Sequence, residues 1–255
     1  NHETGHWLTG RLGGLGASDL VRAILRDYGI ETADVDELDG CIDGYLVDNV
    51  TSARGALEPL AGLLLFEAIE SGEAIRFVRR GRKPAAMLIA SDLAEDGERA
   101  LLTVKRAQET ELPAEIAVGY SDSLADYRPA TASARRLVTG SRRSEARDTG
   151  AAMSHAVASG LADAMLEDLW AGRDSFNVAL TAKRLGVEAG DVCDLATPEG
   201  TRTALVTRIE DGLVRRIEGR SIDPEVLSVT PAAPRTTAPE IAPAESRPEV
   251  MILDL

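Results

Sequence analysis

Hydrophobic and polar positions divide the chain into stretches of helical period and short apolar runs. Leu20, Val21, Ile24, Leu25 and Tyr28 recur at the spacing of one helix face, which predicts a helix from Ser18, an N-cap with Asp19 in the first turn, to a stop at Gly29. A second helix is predicted over 51–63, with Pro59 expected to kink or shorten it. The longest helical pattern covers 149–171. There Met153, Val157, Leu161, Met165 and Leu169 form an i+4 row, widened by Ala158, Ala162 and Leu166. Strands are predicted over 66–69 and 74–78, joined by the turn Glu70-Ser71-Gly72-Glu73, and over 85–90, 101–105 and 114–120. Further strands are predicted over 176–180, 191–195, 202–209 and 213–218, the last two joined at Asp211-Gly212.

These elements predict an α+β fold of β-rich, barrel-like subdomains with one long and two shorter helices. Its expected divisions are an N-terminal loop segment over 1–17, an α+β subdomain over 18–110, a β-barrel-like subdomain over 111–230 holding the helix 149–171, and a linker over 231–255. The loop segment rests on Gly10, Gly13, Gly14 and Gly16. The linker rests on Pro231, Pro234, Pro239, Pro243 and Pro248 among Ala, Thr and Glu, a stiff extended composition. Apolar residues return at 250–255, as if the chain continued into another domain.

Composition narrows the function classes. Of 255 residues, 28 are basic and 42 acidic, a net charge of −14, which argues against a protein that recognises duplex DNA by neutralising phosphates. Three Phe, four Tyr and two Trp are thin material for base- or sugar-stacking platforms. Cys41 and Cys193 are too few for a disulfide framework and are expected as reduced, structural thiols. No uncharged apolar run is long enough for a transmembrane helix, and the first residues lack the pattern of a signal peptide, so cytoplasmic synthesis is expected.

Several motifs invite chemistry. His2-Glu3-Thr4-Gly5-His6 fits the zinc-protease pattern, which needs both histidines one turn apart on a formed helix; here Gly5 and the following glycines oppose that helix. The glycines of 10–16 lack the preceding strand and the Gly-Lys-Ser/Thr of a phosphate loop and read as a connection. Asp34, Asp36, Glu37, Asp39 and Asp43 suggest a calcium loop, but Leu38 and Asp39 stand where an oxygen ligand and a glycine are required. Arg76, Arg79, Arg80, Arg82 and Lys83 form one basic cluster, and Arg135, Arg136, Arg142, Arg143 and Arg147 another. Solvated surface is the simpler reading for both, and ion pairing across a subunit interface the sharper one. Ser154, His155 and Asp163 make a triad on paper only, since adjacent helix residues point apart; His155 is expected at the surface or against a partner. These patterns leave no catalytic, cofactor-binding or metal residue to nominate.

The order of segments says more than any one motif. It runs His6-Trp7-Leu8-Thr9-Gly10-Arg11-Leu12-Gly13, the helix 18–29, Asp43-Gly44-Tyr45-Leu46-Val47, Arg54-Gly55-Ala56-Leu57-Glu58-Pro59-Leu60 and Phe77-Val78-Arg79-Arg80-Gly81. Leu112-Pro113, Val118-Gly119-Tyr120, Asp126-Tyr127 and Val187 with Gly190-Asp191-Val192 follow. Over most of 6–230 this series resembles the hub portion of the large phage tail-tip (baseplate hub) protein of siphophages and of alphaproteobacterial gene transfer agents. In that family a TIM-barrel-like, glycosidase-related domain lies upstream. The resemblance implies a homotrimeric baseplate hub with barrel-like domains around the tail axis, in the tail tip of a virion or phage-like particle assembled in the bacterial cytoplasm. The implied partners are other tail and baseplate proteins (the distal tail protein, tail tip or fibre proteins), the host cell surface, and DNA that passes without specific binding. It supplies no catalytic residue and no cofactor for this portion. Pro113 and Pro129 would then mark strand starts or edges.

The expected function is therefore structural, closing the tail tube and joining it to its neighbours, with acidic surface keeping DNA from sticking in transit. The rival expectations are a cell-wall hydrolase or the His2/His6 metalloprotease, and a carbohydrate- or receptor-binding module using Trp7 and Trp170 for stacking.

Overall fold

The structure, a computed structural model, describes residues 14–71, 74–95, 97, 100–197 and 199–227. The chain opens with β1 (Leu15–Gly16), α1 (Ala17–Asp27), β2 (Ala33–Asp34), β3 (Cys41–Ile42), β4 (Gly44–Tyr45) and α2 (Ala53–Leu64). Then come β5 (Phe66–Ser71), β6 (Ala74–Arg79), β7 (Ala86–Leu88), β8 (Leu102–Arg106), β9 (Pro113–Asp122), β10 (Arg128–Arg135) and β11 (Arg143–Met153). After α3 (His155–Ala171) follow β12 (Asp174–Leu180), β13 (Val192–Thr197), β14 (Gly200–Asp211), β15 (Arg215–Ser221) and α4 (Pro224–Leu227). The α+β class holds, with mixed open sheets and, among the described residues, one helix more than the pattern predicted.

The strands form a four-stranded sheet ordered β10-β9-β11-β4, a six-stranded sheet ordered β7-β13-β14-β15-β12-β8, a three-stranded sheet ordered β2-β6-β5 and the pair β1-β3. β9 and β10 are an antiparallel hairpin, whereas β11 returns parallel to β9 with an irregularity between Asp148 and Ala152. Pro113 opens β9 and Pro129 sits in the edge strand β10, where a missing N–H costs least.

Two main cores result. In the first, α1, α2 and α3 bury Val21, Leu60, Leu63, Leu161 and Met165 against Phe66 and Phe77 of the β5–β6 hairpin and Ile116 and Val118 of β9. Phe66 and Phe77 meet edge to face with centroids 5.9 Å apart. In the second, the six-stranded sheet wraps its own interior: Leu88, Phe176, Val178, Leu195, Val206 and Ile217 come from five of its strands, with no helix among them. The segment after β7 crosses to β12, where Leu93 bridges Leu180 and Thr181 N–H donates to Asp92 O. The expected barrel is not closed: the six-stranded sheet stays open, with β7 and β8 at its ends.

The longest helix differs from its sequence pattern. The long helix starts at His155 and not at residue 149, because 149–153 complete β11. Thr149 Oγ1 donates to Gly119 O of the neighbouring strand, Gly150 takes φ +60, and Ser154 caps α3 by accepting the Val157 N–H. α2 runs through Pro59 unbroken from its Ser52 cap. The turn at Gly72-Glu73, the loop glycines up to Gly13 and the linker 231–255 lie outside the described residues.

Candidate functional site

His2, His6 and Trp7 also lie outside the described residues, so the zinc-type motif has no geometry here. The acidic stretch and the first arginine cluster meet each other. Asp34 lies beside Arg76 in the parallel β2–β6 register, and Arg76 reaches Asp34 at 3.5 Å, Glu37 at 3.4 Å and Glu188 at 4.0 Å. Arg82 pairs with Glu37 at 2.9 Å and Asp191 at 3.6 Å, and Arg79 with Asp39. Asp34, Glu37 and Asp39, three of the carboxylates that suggested a calcium loop, are therefore counter-ions to the arginines that suggested a basic patch, while Asp36 pairs with Arg22 and Asp43 accepts from Ser123. Among the described residues no cluster of His, Cys, Asp and Glu is placed to hold a metal ion.

The second arginine cluster divides. Arg136 stacks over the Trp170 ring at 4.6 Å and pairs with Glu167; Arg147 bonds Glu145; Arg143 donates to Glu111 O. Trp170 is itself buried, with Nε1 donating to Pro113 O, so it pins α3 to β9 and presents no stacking face for a sugar. His155 is exposed, and its Nδ1 lies 2.8 Å from Tyr120 Oη. Ser154 is engaged as a helix cap, and no hydrogen bond among the described residues joins His155 to Asp163, so these residues form no triad.

Three carboxylates that no sequence pattern singled out hold the fold together. Asp168 on α3 is buried and receives Arg80 at 2.9 Å and both its oxygens receive Arg220 of β15, so one group ties α3 to the end of β6 and to the six-stranded sheet. Asp174 at the start of β12 receives Arg106 at 2.7 and 2.8 Å and Arg202 at 2.5 Å. The Arg106 hydrogen bond, working against desolvation, holds its carboxyl below the ordinary value. Asp92 is held down likewise, first by the Arg184 hydrogen bond and then by the Ile89 N–H. The partners are 88, 68 and 92 residues apart, beyond the reach of any local spacing rule.

An open groove of about 750 Å³ lies between the 45–51 loop, α2 and the outer parts of β9, β10 and β11. Tyr45, Leu46, Val47, Pro59 and Pro129 give it apolar walls; Asp48 and Asp148 are its charged residues. Tyr45 is fixed by donating its hydroxyl to Ala56 O, and Asp48 accepts from Asn49. Tyr120, whose hydroxyl meets His155, also lines the groove. Beside the groove Leu46 and Val50 stand exposed, and Leu124 and Tyr127 project from the β9–β10 turn, which Ser123 links to Asp43. The arrangement suits contact with another macromolecule better than turnover of a small substrate.

Comparison with known proteins agrees with a contact role. The model of a phage tail protein family, Phage-tail_3, matches residues 52–209. A chain from the virion of a native gene transfer agent particle superposes with a TM-score of 0.81 at 28% identity, over 91% of this chain and 52% of that one. This chain thus spans about half the length of that relative. The 43 kDa tail protein of prophage MuSo2 from Shewanella oneidensis shares the fold, with a TM-score of 0.52 at 12% identity over 89% of this chain and 68% of that one. No curated protein sequence matches.

Proposed function

The chain belongs to a phage tail protein family, and we propose that within the tail it forms the tip hub, which closes the tail tube and joins it to neighbouring tail proteins. A structural tail component in a virion or phage-like particle is what family membership gives; the hub position is the finer reading. The observation that carries it is the superposition on the gene transfer agent virion chain over nearly the whole of this one. The fold supports it physically. Open sheet edges at β10, β7 and β8, an apolar rim at Leu46 and Val50 and carboxylates locked to arginines describe a rigid block that completes itself against other chains.

The hub is a homotrimer in this reading, set around the tail axis against the distal tail protein, with tip or fibre proteins beyond it. The net charge of −14 would give its channel wall the sign that repels DNA, so that DNA passes without binding. The chain's solution mass, measured alone and with the distal tail protein, tests the assembly. The expected result is a species of three copies; a chain that stays monomeric with its neighbour present contradicts the proposal. A neutral or basic channel wall in the assembled hub would remove the role given to the charge.

A further inference from the structure

Two surfaces at opposite ends of the four-stranded sheet complement one another. β10 runs from Arg128, opposite Asp122, to Arg135, opposite Glu115, and at the Arg135 end the chain turns through 136–142 into β11. The base of that turn is anchored: Arg136 N–H donates to Ala114 O, Ser141 Oγ to Leu112 O and Arg143 to Glu111 O. Its tip turns Leu137 and Val138 outward, each 89% exposed. Around them stand Arg135, Arg142 and Arg143, all exposed. Unlike Arg136, which Glu167 holds, none of these three makes an ion pair with a described carboxylate.

The groove walled by Tyr45, Leu46, Val47 and Pro59 lies at the other end of β10, where Pro129 and Thr131 also line it. Its charged lining residues are Asp48 and Asp148, and Glu58 stands in the hollow that continues it past Pro59. These carboxylates are exposed and make no ion pair with a described cation; Arg147, beside them, is held by Glu145. One end of the sheet thus shows two aliphatic side chains among uncompensated arginines, and the other an apolar groove edged by uncompensated carboxylates. The eight residues of β10, at about 3.3 Å each, put roughly 26 Å between them, so one copy cannot bring its own turn to its own groove.

We infer that the turn 136–142 of one copy docks in the groove of the next, with Leu137 and Val138 against Leu46, Val47 and Pro59, and Arg135 and Arg142 toward Asp48 and Asp148. Burial of the aliphatic side chains supplies the affinity, and the opposed charges set orientation and register. Because the two surfaces differ, the contact is head to tail. Repeated with one rotation it closes a ring, as copies around an axis require, whereas a twofold pairing would bring like surfaces together. This interface rests on the homotrimer of the proposed hub and gives it its contact surfaces.

Disulfide trapping in assembled particles tests it. In a Cys41→Ser background, Val138→Cys with Leu46→Cys should oxidise between copies, in a ladder ending at three chains. The rate should be about tenfold or more above that of Val138→Cys with Leu213→Cys, because docking sets the thiols' effective concentration. Leu213 is fully exposed but lies at the β14–β15 turn of the other sheet. Equal rates, a bond within one chain, or a bond from position 138 to a different tail protein would each overturn the interface. Three copies seen at the tip with positions 138 and 46 unlinked would remove the interface and leave the hub standing; tips that lack the chain would remove the hub as well. Charge exchange gives a second readout: Arg135→Glu with Arg142→Glu should cut particle yield about tenfold, and adding Asp48→Arg with Asp148→Arg should restore most of it. An unchanged yield in the first variant, or no recovery in the second, would also overturn the interface.

Discussion

Asp168 is 3% exposed and neutralises two guanidinium groups, Arg80 and Arg220, that come from different sheets. Asp168→Ala removes the carboxylate that both cations share, leaving Arg80 with Glu67 and Arg220 without this counter-charge, and a loss of about 3–5 kcal/mol in urea unfolding is expected. A loss within about 0.5 kcal/mol would mean that water already satisfies these groups. Asp174 makes a pH-dependent contribution. Its carboxyl is held below the ordinary carboxylate value, chiefly by the Arg106 hydrogen bond, so the stabilisation is complete above that ordinary value and is lost as pH falls through the lowered one. Melting temperatures of the protein and of Asp174→Asn should differ at pH 7 and converge in strong acid; a gap independent of pH would contradict the assignment. Cys193 is buried, and desolvation pushes its thiol up to about 11, while Cys41 is half-buried. Native protein at pH 8 should therefore expose at most one thiol to a disulfide reagent, Cys41, and release the second only in denaturant. The sequence suggested reduced, structural thiols, but neither carboxylate's role was legible in it, because a buried carboxylate and a solvated one look alike until partners far along the chain arrive.

At the level of elements, α1, α2 and most strands were legible because each has its own period: Leu20, Val21, Ile24 and Leu25 all turn into the first core. The start of α3 was not. Gly150, Ala151, Ala152 and Met153 continue the small-and-apolar row of the helix, and Met153 is fully buried, but from a strand. What decides the boundary is Ser154, whose side chain caps α3, together with Gly150, where a Cβ would meet Leu46 O at 2.7 Å. Ser154→Ala should cost about 1 kcal/mol in thermal unfolding, and Gly150→Ala should be the more damaging, since φ +60 and the carbonyl contact both oppose it. The reverse order would put the helix start elsewhere. β10 escaped notice because its buried positions are Ala132 and Ala134, too small to mark a strand. The parallel return of β11 to β9 is a long-range pairing that no local pattern encodes.

Across the whole molecule, the sequence carried the family and the α+β class, since ordered motifs survive where single ones are ambiguous. It did not reveal how charge is used. A chain with 42 acidic and 28 basic residues looks like a solvated polyanion, yet arginines from 76 to 220 are spent inside the protein on Asp34, Glu37, Asp168, Asp174 and Asp191. The acidic remainder is left to the surface, the face that the proposed hub turns to its neighbours and to passing DNA. The central claim is the place of this chain at the tail tip, and an image of the particle that carries it, at a resolution that traces strands, tests it most directly. Three copies are expected around the tail axis at the distal end of the tube, with the 45–51 loops and sheet edges against other chains. Density for this fold along the tail shaft or in the capsid, or its absence from the tip, would contradict it.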